Sequence, residues 1–156
     1  LSYFLMRYME NIKPGKNGGG WFDGFDCANN LGSYIEQAYL TLFAKAKEVT
    51  LYSAGLLMTR HDMFLPLAGY ALEKADPYIS QLGNPIGVAC YKPFHSTGEN
   101  HLYDYIGMLG IPLEPYPYYP EKEKVILLTE SAAKDEKITD KIIIYSLATK
   151  ITINNK

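Results

Sequence analysis

The chain has 156 residues, 47% hydrophobic and 21% charged, an ordinary globular composition at about the length of one domain. Its 15 basic and 17 acidic residues leave a formal charge of -2, too weak a field to recruit duplex nucleic acid or an anionic membrane surface. No apolar run approaches the ~20 residues of a bilayer span, and the opening Leu1-Ser2-Tyr3-Phe4-Leu5-Met6-Arg7 has neither the basic start nor the small-residue cleavage site of a signal peptide. The first residue is Leu1 rather than Met, so a natural start and any targeting segment upstream stay open. Cys27 and Cys90 are too few for a disulfide framework, and their apolar settings suit small buried thiols. The 14 Tyr suit half-exposed surfaces such as sugar platforms or interfaces, without choosing between them.

Ser2 to Ile12 carries apolar residues near helical spacing, and the glycine-rich Lys13 to Gly20 ends it. Trp21 to Cys27 reads as a strand. Ser33 and Glu36 form a capping box opening a helix whose stripe is Tyr34, Ile35, Ala38, Tyr39, Leu42, Phe43 and Ala46. Val49 to Ala54 follows as a strand, giving a βαβ rhythm that implies parallel pairing. Pro66 to Ala75 reads as helix, with Asp76-Pro77 as a fresh helix start and Gly83-Asn84-Pro85 closing that segment.

The pattern restarts with the buried-type strand Ile86 to Tyr91. A second capping box, Ser96 to Glu99, opens a helix with the stripe Leu102, Tyr103, Ile106 and Leu109, stopped by Gly110. Leu113 to Tyr116 and Val125 to Thr129 are predicted strands, and Asp135 to about Ile144 a helix. From Ile142 the composition changes abruptly toward Ile, Thr, Asn and Lys, which fits truncation or a shifted reading frame near that point.

Asp23 and Asp26 invite comparison with the paired acids of glycoside hydrolysis, but residues three apart on a regular strand point to opposite faces. At most one of them lines a site. Trp21 after the Gly18 to Gly20 loop suits a sugar platform, or equally a core position. Lys92 and His95 lie between a strand and a helix start, where α/β sheets bind ligands; a capping Ser96 with solvated neighbours is the plainer alternative. Cys90 lies within its strand, not at an exposed elbow, which argues against a nucleophile. His61, His95 and His101 are dispersed, and no metal-ligand spacing is present. The residues imply neither a metal nor a cofactor.

Gly87-Val88-Ala89-Cys90-Tyr91-Lys92-Pro93, the helix Glu99 to Leu109, Gly110-Ile111-Pro112-Leu113-Glu114 and Val125 to Ala132 together resemble the opening of a class I glutamine amidotransferase-like, flavodoxin-like domain. Such domains follow the (β/α)8 barrel in beta-galactosidase-type glycoside hydrolases and serve there in trimerisation. Trp21 to Asp26 and Val49 to Ala54 then resemble the last strands of such a barrel. The resemblance implies an α/β fold class, with the end of a (β/α)8 barrel at residues 1–60, a connecting helical segment at 61–84, and an incomplete flavodoxin-like parallel three-layer domain at 85–156. It implies part of a carbohydrate-active glycoside hydrolase that is inactive alone, with a carbohydrate substrate in the parent protein and a homotrimer as the candidate assembly. Asp23 or Asp26 would serve catalysis, and Trp21, Lys92 and His95 would bind substrate. A compartment is not fixed, although a periplasmic or secreted parent is compatible. No Cys-His-Glu triad is visible, so glutaminase activity is not implied. The alternatives are an FMN-binding flavodoxin-like module, suggested by Ser96 to Asn100, and a non-catalytic oligomerisation domain.

Overall fold

The computed structural model describes residues 2–24, 30–52, 63–95, 103, 105–107, 109–129, 132, 143–146 and 149–153. The chain divides into two compact units, Ser2–Met6 with Lys13–Asn84, and Arg7–Ile12 with Pro85–Lys156. Both are mixed α/β with short parallel strands.

In the first unit, β1 (Gly19–Phe22) and β2 (Glu48–Leu51) pair in parallel through the connecting helix α2 (Leu31–Phe43). Trp21 lies opposite Thr50, and Gly19 opposite Glu48. Because side chains alternate along a strand, Val49 and Leu51 face one way and Glu48 and Thr50 the other. Val49 and Leu51 pack with Tyr34 and Ala38 of α2, together with Phe64, Ala68 and Ala71 of α3 (Phe64–Ile79). Tyr34 and Phe64 meet edge to face at 4.5 Å between ring centroids. The small residues Ala68, Ala71 and Ala75 are fully buried along α3 at three- and four-residue spacing, which lets a neighbouring backbone approach closely.

Two local expectations change here. The cap of α2 is Asn30, whose side chain accepts from the Ser33 N–H at 3.0 Å, so Ser33 lies inside the first turn rather than capping it. The helix α3 also continues through Asp76-Pro77 to Ile79 instead of restarting there. Pro77 falls in the last turn, so its missing N–H and ring interrupt little helix before the end. Beyond α2, the Lys45 N–H donates to the Leu42 carbonyl at 2.9 Å and that of Ala46 to Thr41 at 3.3 Å, closing a Schellman turn. Lys45 sits at φ 67°, the position that glycine usually fills. Lys45→Gly is therefore expected to stabilise the chain by about 1 kcal/mol, less the hydrogen bond from Lys45 Nζ to the Gly83 carbonyl. A melting temperature unchanged or lowered by this substitution would contradict that account.

The second unit holds β3 (Val88–Tyr91), β4 (Leu113–Tyr116), β5 (Val125–Thr129), β6 (Ile143–Ser146) and β7 (Thr149–Ile153), in the spatial order β4-β3-β5-β7-β6. The first three strands are parallel, while β7 runs antiparallel to both β5 and β6. Ala89, Tyr91, Ile126, Leu128 and Ala132 form its core, with Tyr116 and Tyr119 packed against them. The expected helix from Asp135 to about Ile144 gives way to strand at Ile143–Ser146. Consecutive β-branched residues lose rotamer freedom in a helix but fit a pleated surface, and the tail accordingly pairs along β5. The remainder of that expected helix, residues 135–142, lies outside the described residues.

The first helix, α1 (Ser2–Ile12), contributes Arg7, Tyr8 and Asn11 to this second unit. Arg7 donates to both carboxylate oxygens of Glu114 on β4, from Nε at 3.0 Å and from Nη2 at 2.7 Å. Asn11 Nδ2 donates to Glu114 Oε1 and to the Pro115 carbonyl, each at 2.8 Å. Because β4 is an edge strand, Asn11 satisfies a carbonyl on that strand while Arg7 neutralises its buried carboxylate.

Candidate functional site

In the first unit, one face of the β1–β2 pair carries Val49 and Leu51 into the core, and the alternation leaves Trp21, Glu48 and Thr50 on the other. Tyr52 directly follows β2. Gly19, Gly20, Trp21, Glu48, Thr50 and Tyr52 line a cavity of about 330 Å³. Trp21 is 61% and Tyr52 52% exposed, with ring centroids 6.5 Å apart and planes inclined by 37°. Large aromatic surface left in water is the informative kind of exposure. The arrangement offers two flat apolar surfaces, a carboxylate and a hydroxyl to one ligand.

Asp23 leaves β1 at its C-terminal end and is 5% exposed. Its backbone is held by Gln37 of α2, which accepts from the Asp23 N–H at 3.3 Å and donates to the Asp23 carbonyl at 3.1 Å. Asp26 lies outside the described residues, as do Cys27, His61, His101 and the Ser96 to Asn100 segment. Sequence reasoning passed over Glu48, Thr50 and Tyr52. Their two-residue spacing was visible, but which set faces outward depends on the side that α2 covers.

In the second unit, Lys92 and His95 follow β3. Lys92 is half-buried, its N–H bonded to the Tyr116 carbonyl at 2.9 Å and its own carbonyl accepting from Tyr8 Oη at 2.8 Å. His95 is exposed. Beside them, Phe94 meets Tyr8 at 6.2 Å and Tyr118 at 6.0 Å in edge-on contacts. Among the described residues, no group of three or more His, Cys, Asp or Glu could hold a metal ion, and no helix is long and apolar enough to cross a membrane.

Cys90 is a free thiol buried in β3. Burial pushes its pKa far up, the Glu114 carboxylate adds to the rise, and Lys92 opposes it. The thiol should therefore resist alkylation at pH 8 in the native chain and react on denaturation, as peptide mapping after iodoacetamide would show. The sign of the pH effect follows. Above about pH 8.5 an unfolded thiol loses its proton while the buried one keeps it, so folding weakens by up to about 1.4 kcal/mol per pH unit. Cys90→Ala should flatten that alkaline slope in urea titrations, and an equal slope in both proteins would contradict it.

The described residues thus define a mixed α/β protein with short parallel sheets and no closed barrel among them. Residues 1–69 match the family model described as "Probable glycosyl hydrolase, catalytic domain", and residues 83–145 match that described as "Uncharacterized protein SSO3021, second domain". The chain accordingly carries a segment similar to a probable glycosyl hydrolase catalytic domain, followed by one similar to that second domain. No curated protein and no solved structure matches the chain.

Proposed function

We propose that the chain is part of a glycoside hydrolase-type protein acting on carbohydrate. The observation that carries this reading is the match of residues 1–69 to a probable glycosyl hydrolase catalytic domain. The parallel β1-α2-β2 unit supports a barrel-end assignment for residues 1–60, since sequential parallel strands joined by a helix are the repeat from which such barrels are built. In that assignment Asp23 stands where barrel enzymes place functional residues, at the C-terminal end of a strand. One of Asp23 and Asp26 lines the sugar site, and Trp21 stacks on the sugar.

The strand order β4-β3-β5, all parallel, supports a flavodoxin-like, amidotransferase-like assignment for the second unit, because it places the second strand, the first and then the third side by side. In that assignment residues 61–84 connect the two, Lys92 and His95 face ligand, and the second unit serves assembly, with a trimer as the expected state.

Two carboxylates flanking the scissile bond are needed for hydrolysis, and the candidate pair here supplies one at most. The isolated chain should therefore bind saccharide without hydrolysing it. Incubation with a panel of aryl-glycosides, followed by release of the chromophore, tests this; sustained turnover would overturn the inactive reading. Absence of saccharide binding by calorimetry would overturn the carbohydrate reading itself.

A further inference from the structure

We propose that Gln37 is a positioning residue for Asp23: by holding the main chain where β1 ends, its side-chain amide sets the direction in which the Asp23 carboxylate meets the sugar. This rests on the reading that Asp23 is the carboxylate lining the sugar site, and adds the residue that aims it. Gln37 Oε1 accepts from the Asp23 N–H at 3.3 Å, and Gln37 Nε2 donates to the Asp23 carbonyl at 3.1 Å. The pairing of β1 with β2 ends one residue earlier, at Phe22 opposite Leu51. A side chain thus takes both backbone groups that a neighbouring strand would otherwise engage.

Local packing puts the amide within reach. Tyr34, Ala38 and Thr41 stand on either side of Gln37 along α2, and all three are fully buried, which fixes the helix against its neighbours. Thr41 Oγ1 also donates to the Gln37 carbonyl at 2.8 Å. At Gly20 an added Cβ would lie 3.1 Å from Met6 Cε and 3.5 Å from Thr41 Cγ2, so α2 approaches β1 closely there. Gln37 lies one turn back along the helix from Thr41, as Asp23 lies further along the strand from Gly20. Holding both the N–H and the carbonyl of one residue fixes the direction of its Cα–Cβ bond, and only the side-chain torsions remain. Asp23 is 5% exposed, and a carboxylate so enclosed meets a ligand only in the direction its main chain gives it. Such preorganisation matters because a polar group about 1 Å out of place loses much of its effect. The amide is neutral, so it holds the main chain without drawing the carboxylate toward itself as Lys or Arg would. Both residues belong to the β1-α2 connection, so their contact needs no further strand.

A double-variant cycle on the full chain tests this. Affinity for cellotetraose and xylotetraose would be measured by calorimetry for the parent, Asp23→Ala, Gln37→Met and the two combined. Met keeps the length and helix preference of Gln but lacks its amide donor and acceptor. The expected losses are about tenfold for Asp23→Ala and about five- to tenfold for Gln37→Met. Adding Gln37→Met to Asp23→Ala should cost nothing more, because no carboxylate is left to aim. A purely structural Gln37 would lower affinity equally in both backgrounds. That outcome, or no effect of Gln37→Met in the parent, would overturn the positioning role while Asp23 keeps its place in the site. An affinity unchanged by Asp23→Ala would instead overturn the reading of Asp23 and the proposal with it, as would no binding of either saccharide. Amide hydrogen exchange needs no saccharide and stays informative if Asp23→Ala fails to fold. In Gln37→Met the Asp23 amide should exchange about tenfold faster, with the amides of Ala38 and Thr41 unchanged. An Asp23 amide equally protected in parent and variant would overturn the proposal.

Discussion

Glu114→Ala is expected to destabilise the protein by about 3–5 kcal/mol, the cost of removing one member of a buried, hydrogen-bonded ion pair. Arg7 and Glu114 are only 6% and 8% exposed, so water cannot take the place of the lost carboxylate. The guanidinium would lose two charge-assisted hydrogen bonds and Asn11 one. Against a typical total stability of about 5–15 kcal/mol, a loss of this size should show as a large fall in urea midpoint. The pair is not thereby a net source of stability, because both charges were first taken out of water. The double variant Arg7→Met with Glu114→Leu should recover most of the loss. A midpoint for Glu114→Ala within about 1 kcal/mol of the parent, the scale of an exposed ion pair, would contradict the account.

Gly19→Ala is expected to disrupt the pairing of β1 with β2. At Gly19 φ is 152°, a conformation that a residue with a side chain rarely adopts. A Cβ there would also overlap the Glu48 carbonyl oxygen and lie 2.8 Å from the Glu48 carbonyl carbon. These are backbone atoms of the paired strand, so neither can rotate away. Strain and overpacking together should cost about 2–5 kcal/mol. Gly15→Ala is the control, since Gly15 has φ 75° but open space where a Cβ would go, and its cost should stay near 1 kcal/mol. Urea unfolding followed by Trp21 emission separates the two, and equal midpoints for both variants would contradict the steric argument. If the pairing opens, the face carrying Trp21, Thr50 and Tyr52 is lost with it.

Much of the element order was legible along the chain. The strands Leu113–Tyr116 and Val125–Thr129 and the helix Ser2–Ile12 fall at the expected residues, because each is a short apolar or amphipathic run bounded by Gly, Pro or charged turns. The cap of α2 was misplaced by three residues, since both Asn30 and Ser33 are competent caps and only the backbone shows which one accepts. The break at Asp76-Pro77 was misread for a related reason. Proline marks either the first turn of a helix or a weakness near its end, and the packing of Ala75 beside it favours continuation. Of the residues on the exposed face of the β1–β2 pair, only Trp21 stands out along the chain. Its companions Glu48, Thr50 and Tyr52 resemble any alternating strand until α2 is seen to cover the opposite face.

Alternation and periodicity by themselves determined that this protein is α/β, with parallel pairing in each half and a change of character near residue 142, because these are local patterns written every two or nearly four residues. Tertiary structure alone decided that the Ile-rich tail forms antiparallel strands beside β5, that Arg7 meets Glu114 across 107 positions, and that two aromatic rings share an open face. Each of these depends on which distant segments come together, and spacing along a chain carries no such information for residues that are not on the same element.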